Sequence, residues 1–216
     1  MRIIAGTYRG LRLKAPKHGR LRPTSDQLRE TLFDVLGPSV QGTQFLDAYA
    51  GSGAVGLEAM SRGAAEVVFI EHHRAATEAI RQNLASLGVE SGWRVLHGTV
   101  ARGLERLQNE GARFHFIFLD PPYEEIREYH HVLRQIGRGR LLLPDGLLIA
   151  EHSRRVRLEE HYGALRRRRS VRHGDAQLEF YGLSAPGPTG DTEDTARAQG
   201  LRERLNSSEL DFSPPK

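Results

Sequence analysis

Phe45-Leu46-Asp47-Ala48-Tyr49-Ala50-Gly51-Ser52-Gly53-Ala54-Val55-Gly56 decides the fold of this chain. A short apolar run ends in an acid, a G-x-G-x-x-G turn follows, and Val55–Ser61 has helical spacing closed by Gly63. Strand, glycine turn and helix in that order make the first half of a βαβ unit. Backbone amides and a helix N-terminus can there approach a nucleotide-like ligand. Glu71 ends the next apolar run, 20 residues beyond Gly51, where a carboxylate can accept both ribose hydroxyls.

Outward from this unit the alternation continues. Phe45–Ala48 reads as a strand, Glu66–Glu71 as a second, Arg74–Leu87 as a helix and Arg94–His97 as a third strand. Ala101–Gln108 is helical, Phe114–Leu119 a fourth strand, Glu125–Ile136 helical, and Gly146–Glu151 a fifth strand entered through the turn Pro144-Asp145-Gly146. Leu165–His173 and Gln177–Leu183, joined around Gly174-Asp175, read as a closing antiparallel hairpin. The expected fold is α/β, a mostly parallel sheet covered on both faces. Ahead of it, Ile3–Pro16 reads as a glycine-bent hairpin. A helix follows, entered at Arg22-Pro23-Thr24-Ser25-Asp26 with Thr24 and Gln27 as a capping box. Leu28, Leu32, Phe33 and Leu36 give that helix its apolar face, and Gly37-Pro38 stops it. Three regions result: a basic hairpin and helix extension over 1–38, the main domain over 39–183, and a tail over 184–216. The tail is rich in Pro, Gly and acids and is expected to lack fixed structure, with a short helix allowed around Ala196–Leu205.

With 216 residues and no cysteine, the chain has length for a substantial core and no disulfide, thiolate metal site or cysteine nucleophile. It shows no apolar stretch of membrane-span length and no signal-peptide pattern at Met1–Ala5, so a cytoplasmic protein is expected. The net charge of +4 is unevenly spread. Residues 1–36 hold eight Arg/Lys against three Asp/Glu, and residues 153–173 eight Arg against two Glu. Residues 184–216 hold four basic against six acidic residues. Two basic segments flanking a near-neutral middle suggest a surface for a polyanion.

Asp120-Pro121-Pro122-Tyr123, at the end of the fourth strand, narrows the chemistry. The glycine turn and Glu71 alone suit either a dinucleotide or S-adenosylmethionine, and hydride transfer has no use for an Asp-Pro-Pro-Tyr loop. An exocyclic amine on a nucleobase is a poor nucleophile because its lone pair is delocalised into the ring. Accepting its two N–H bonds at the Asp120 carboxylate and the Pro121 carbonyl favours a pyramidal nitrogen and stabilises the charge that develops on it. Tyr123 can stack on the base and fix it in line with a sulfonium. The base must be unstacked to enter such a pocket. Asp47, at the end of the first strand, suits the cationic amino end of a methionine moiety. The duller explanations are a glycine turn without ligand, a Pro-Pro turn after a buried strand, and acids that cap helices.

His72-His73 and His130-His131 invite a metal, but neighbours on a helix point to different faces and no H-E-x-x-H occurs, so no metal is expected. Alternation would send half of Arg166–Arg169 to each face of the sheet. Arg154, Arg155 and that run suit phosphate contacts. Arg9, Arg12, Lys14, Lys17, Arg20 and Arg22, interleaved with Tyr8 and glycines, read as a mobile RNA-gripping arm.

Arg2-Ile-Ile-Ala-Gly-Thr-Tyr-Arg-Gly10, Arg22-Pro-Thr24 with Arg29-Glu30 and Phe33, Asp47-Ala-Tyr-Ala-Gly-Ser-Gly53 and Asp120-Pro-Pro-Tyr123 occur in that order. This arrangement resembles the bacterial RsmD family of 16S ribosomal RNA guanine-N2 methyltransferases over about residues 1–183. The two N-terminal motifs are the selective ones, since many amino-methyltransferases share the others. The resemblance implies a class I, Rossmann-like methyltransferase sheet of seven strands with S-adenosyl-L-methionine as donor. It also implies one guanine of 16S rRNA as target, within the small ribosomal subunit or its assembly intermediate. Asp47, Gly51, Ser52, Gly53, Gly56 and Glu71 then hold the donor, and Asp120, Pro121, Pro122 and Tyr123 form the catalytic loop. Relatives in the wider class carry an acid after the third strand for the adenine amine. Here Gly98-Thr99-Val100 stands instead, leaving Thr99 to hydrogen-bond there. The expected molecule is a monomer with no metal and no membrane association.

Several rivals use some of the same residues. A DNA adenine-N6 or cytosine-N4 methyltransferase needs a target-recognition region for which no segment is long enough. A protein-glutamine methyltransferase usually has Asn in place of Asp120 and no need of basic flanks. A NAD-dependent oxidoreductase leaves Asp120–Tyr123 without a role. A ribosome-assembly RNA binder without turnover would bind cofactor and transfer nothing.

Overall fold

The computed structural model describes residues 1–15, 26–122, 126–184, 199–201 and 203–205. In chain order these form α1 (Asp26–Leu36), a 3-10 turn (Gly37–Val40), β1 (Gln44–Asp47), α2 (Ala54–Ser61), β2 (Glu66–Glu71), α3 (Arg74–Ser86) and β3 (Trp93–His97). Then come α4 (Val100–Asn109), β4 (Phe114–Leu119), α5 (Ile126–Arg138), β5 (Leu142–Ser153), β6 (His161–Tyr162), β7 (Leu165–His173) and β8 (Ala176–Leu183). The strands make one sheet in the order β3-β2-β1-β4-β5-β8-β7-β6. Strands β3 to β5 pair in parallel, and β8, β7 and β6 continue antiparallel.

Strand alternation explains the layers. On β1, Phe45 faces one side with Leu32, Phe33, Leu57, Phe69, Ile80 and Phe116, and Leu46 faces the other with Ile70, Leu104, Ile117 and Leu133. Thus α1, α2 and α3 cover one face while α4 and α5 cover the other. Across the first layer Phe33 stacks on Phe45 at 6.3 Å between ring centroids, and Phe45 meets Phe116 at a tilt, at 6.2 Å. Each such buried ring is worth about 1.5–3 kcal/mol. The closing hairpin turns at Gly174-Asp175 and pairs Ala176 with both His173 and Ser153.

Two strand expectations need correction. The seven strands implied by family resemblance are joined by β6, two residues that extend the sheet beyond β7. The turn Pro144-Asp145-Gly146 lies inside β5 instead of before it. Phe114 pairs with Leu142 but Phe116 with Leu147, so the residues between swell out as a bulge. Proline, which lacks the amide for a ladder bond, is tolerated at such a place. Gly37-Pro38 stops the first helix as expected, α1 ending at Leu36, and the chain continues as a 3-10 turn with Pro38 near its start. The hairpin at the N-terminus forms, with Arg2 bridging Arg12, and Ile3 and Gly10 bonding backbone to backbone at 2.9 Å. Over residues 1–15 it is anchored to the body. Ile4 and Ala5 amides donate to the buried Glu58 carboxylate (2.7 and 3.0 Å), and Thr7 and Tyr8 amides donate to Ser61 (2.8 and 3.0 Å). The expected capping residues Thr24 and Ser25 fall outside the described residues.

Where the tail is described, it forms the short helix allowed for around Ala196–Leu205. Residues 199–201 and 203–205 are helical, and Leu201 is only 3% exposed within the layer that holds α1. Arg169 donates to the Arg204 carbonyl, tying this turn to β7. Among the described residues no helix is long and apolar enough to cross a membrane.

Candidate active site

The carboxyl ends of four neighbouring parallel strands gather the predicted site. Thr99 follows β3, Glu71 ends β2, Asp47 ends β1 and Asp120 follows β4. Chain order reverses between β1 and β4, and such a switch point opens a crevice at the strand ends.

The glycine turn fills one side of that crevice. Gly51 and Gly53 take φ of 54° and 79°, a left-handed region closed to most side chains, so the turn reverses within three residues. Its amides are held by the two acids. Glu71 accepts from Gly51 N–H at 2.8 Å through one oxygen and from His73 N–H at 2.6 Å through the other. Asp47 accepts from Gly56 N–H at 2.9 Å, at the start of α2. Both acids are buried, so each shapes the turn as well as facing the crevice edge. Burial pushes the Asp47 carboxyl up to about 7, with Gly56 pulling down and Glu71 adding to the rise. A buried acid of this kind, met by one amide, suits a cationic ligand amine. Glu71 keeps lone pairs beyond those its two amides use, so ribose hydroxyls fit there as well. Gly56 has no room for a side chain: a Cβ would sit 2.3 Å from Phe69 Cε1. Thr99 is exposed at the head of α4 and its hydroxyl caps nothing.

On the other side, Asp120 is half-buried, Pro121 buried and Pro122 exposed. The two sides are joined through the sheet, where Ala48 N–H donates to Phe118 O at 3.0 Å. Tyr123 falls outside the described residues, as does Arg22.

The basic candidates are exposed. Arg9, Arg12 and Lys14 lie on the anchored hairpin, while Arg154 and Arg155 follow β5 at the same sheet edge as Asp120. Arg154 N–H bonds the Asp175 carbonyl at the hairpin tip, at 2.9 Å. In the arginine run, Arg167 turns to the buried Glu179 at 3.3 Å and Arg168 to the Leu183 carbonyl at 2.6 Å. The histidine argument fails for one pair. His72 and His73 lie before α3 and not within a helix, their rings 3.7 Å apart. With Glu71 they bring three potential ligand atoms within 4.8 Å of one another. Two of the three belong to exposed rings.

Several residues at the site carry no motif. Asn83, buried on α3, accepts from Lys14 N–H (2.8 Å) and donates to Lys14 O (3.1 Å) and to Ser52 O (3.2 Å). One carboxamide thereby ties the basic hairpin to the glycine turn. Arg29, fully buried, donates to Arg2 O at 2.5 Å and Asp26 at 3.0 Å and stands 3.9 Å from Glu58. Tyr129, also fully buried, donates towards Pro121 O at 3.1 Å and Glu151 O at 2.8 Å. Of these, Arg29 alone belongs to a sequence motif, Arg29-Glu30, and only the folded chain shows what it holds. A cavity of about 340 Å³, lined by Gln108, Arg113, Arg138 and Arg140, sits at the amino end of β4 and takes no part in this crevice.

Known proteins place this geometry. The family described as Conserved hypothetical protein 95 matches residues 1–182. "Putative rRNA methyltransferase YlbH" of Bacillus subtilis is 35% identical over 181 residues, covering 84% of this chain and 98% of that protein. "Ribosomal RNA small subunit methyltransferase D" of Escherichia coli K12 is 42% identical over 123 residues, 57% of this chain and 60% of that protein. The solved structure titled "Putative methyltransferase yhhF from Escherichia coli" superposes with a TM-score of 0.71 at 33% identity, covering 86% of this chain and 98% of that one. At 14% identity and a TM-score of 0.56, an RNA methyltransferase from Salinibacter ruber, in complex with S-adenosyl-L-homocysteine, shares the fold, over 78% of this chain and 97% of that one. The chain therefore belongs to the Conserved hypothetical protein 95 family, the RsmD family, and has its methyltransferase fold.

Proposed function

We propose that this protein transfers a methyl group from S-adenosyl-L-methionine to the exocyclic N2 of one guanine in 16S rRNA, within the small subunit or its assembly intermediate. The observation that carries the reading is the placing of Asp120-Pro121-Pro122 after β4, directly beside the glycine turn that leaves β1. A donor turn and an amine-accepting loop on paired strands bring the two reactants together.

When bound, the donor supplies an electrophilic methyl on sulfonium: the N–C bond forms as the S–C bond breaks, and sulfur keeps the electron pair. The chain's own residues do the rest. Asp47 meets the ligand's ammonium, Glu71 accepts ribose hydroxyls, and Thr99 reaches the adenine edge. The Asp120 carboxylate and the Pro121 carbonyl accept the two N–H bonds of the guanine amine, which localises the lone pair on nitrogen and stabilises its growing positive charge. Tyr123 stacks on the base. The proton that nitrogen loses after transfer leaves towards Asp120 or solvent. Exposed Arg9, Arg12 and Lys14 on one flank and Arg154 and Arg155 on the other contact phosphates, with Arg22 assigned the same role from its sequence alone, which makes binding salt-dependent. The protein acts as a monomer in the cytoplasm.

The test is transfer of labelled methyl to unmethylated small subunits, naked 16S RNA and duplex DNA in parallel. Label recovered from subunit RNA as N2-methylguanosine is the expected result. Asp120→Ala should lower transfer by at least ~100-fold while donor affinity stays within about twofold of the wild type. Label in DNA alone, or none despite donor binding, overturns the reading.

A further inference from the structure

We propose that Tyr129 is a positioning residue for the methyl-accepting amine, its hydroxyl fixing the direction in which the Pro121 carbonyl points. The proposal rests on the amine-methylation reading above. Tyr129 lies in the first turns of α5, the helix that follows the catalytic loop, and is fully buried. Its hydroxyl stands 3.1 Å from Pro121 O and 2.8 Å from Glu151 O. Those carbonyls belong to the exits of adjacent strands, β4 and β5. One O–H shared between two carbonyls is a clasp across the mouth of the sheet.

The consequence for the chemistry is directional. The Pro121 carbonyl shares its peptide plane with the nitrogen of Pro122, which carries no N–H, so no hydrogen bond from that unit's own amide can hold the plane. Its plane must be set from outside, and a carbonyl has two lone-pair directions. Occupying one with Tyr129 leaves the other for a guanine N–H. The tyrosine ring cannot swing away, since it packs edge-on to His152 at 6.3 Å within the layer formed by Val132, Leu133 and Leu148. One residue earlier, Glu128 accepts from the Tyr49 hydroxyl at 2.8 Å. Tyr49 lies in the segment that leads into the glycine turn. Neighbouring residues of α5 thereby tie the amine-holding loop and the donor turn to the same rigid helix. A misplacement of about 1 Å between reacting groups can cost on the order of a hundredfold in rate. The arrangement is suited to prevent one.

The experiment compares wild type, Tyr129→Phe, and a variant with 4-aminophenylalanine at 129, whose amine can donate to both carbonyls. Tyr162→Phe serves as the control: it removes an equally buried hydroxyl, bonded to His130 at 2.7 Å and Glu159 N–H at 2.9 Å, away from Pro121. Each is assayed on unmethylated small subunits at a temperature where circular dichroism shows it folded, and donor affinity is measured by calorimetry. For Tyr129→Phe the expected result is a kcat lowered by about 10- to 100-fold, with donor affinity and the subunit KM within about twofold. The aminophenylalanine variant should recover most of the kcat, and Tyr162→Phe should match wild type. A folded Tyr129→Phe with wild-type kcat overturns the proposal. So does a loss that falls equally on donor affinity, or one that the amine donor leaves unrescued. If wild type itself labels no RNA, the underlying reading fails, and the proposal with it.

Discussion

Asp47 is where a single side chain should make the protein sensitive to pH. Burial raises its carboxyl from 3.8 to about 7. The native state therefore holds this proton more tightly than the unfolded chain does. The contribution of Asp47 to the stability of the ligand-free protein declines as pH rises from about 4 to about 7 and is flat above. A ligand ammonium beside it reverses the preference, favouring the ionised form. Donor affinity should thus strengthen as pH rises through about 7 and then level off, with a proton released on binding at pH 6. Titration calorimetry in two buffers of different ionisation enthalpy measures that proton. A flat affinity from pH 6 to 8 would leave Asp47 only its bond to Gly56. On the proposed reading, Glu71→Ala should weaken the donor by about tenfold or more, since it would remove ribose contacts together with the partner of Gly51 N–H; unchanged affinity removes the ribose role. Position along the strand ends was legible for both acids, because an acid closing an apolar run beside a glycine turn has few other uses. Their second task, holding the turn's own amides, was not, since sequence shows no hydrogen-bond partners. Tyr129 and Asn83 were hidden for the same reason. Each bonds backbone groups of residues distant in sequence, and any residue type can supply those.

At the scale of elements, α2 is the piece that allows least change. Its glycine turn, its start at Asp47 and its packing on β2 meet at Gly56, where a methyl group would collide with Phe69 and Val67. Gly56→Ala should destabilise the protein by about 1–3 kcal/mol and weaken donor binding as the turn is displaced. Urea denaturation together with calorimetry checks both, and an alanine variant of wild-type stability would mean that Phe69 yields at no cost. Elements with strong periodicity and clear punctuation were readable: Glu66–Glu71 and Phe114–Leu119 form strands with the same bounds as expected. Strand β5 was misjudged because Pro144-Asp145-Gly146 satisfies every local rule for a turn, and only pairing with β4 reveals a bulge. Strand β6 has two residues, too few for any pattern.

Across the whole molecule, the described parts of the two basic segments lie on the N-terminal hairpin and at the sheet edge after β5, while the described part of the tail packs on the body. Its polar composition concealed the pair Leu201 and Leu205, four residues apart, which faces the layer built on α1. Leu201→Ala should cost about 2–5 kcal/mol, seen as a lower midpoint in thermal unfolding. A change below about 0.5 kcal/mol would show that the helix adds nothing to the fold. The hairpin offers a different lesson. Residues 1–15 do not merely precede the methyltransferase body: they are stitched to Glu58, Ser61 and Asn83, on α2 and α3, beside the glycine turn. Anyone building chimaeras to redirect such enzymes to new RNA sites would find that the hairpin cannot be exchanged as a free-standing module. It travels with those three side chains or arrives without a socket, and a transplant that ignores them would disturb the donor turn of its host through the vacant carboxamide at Ser52.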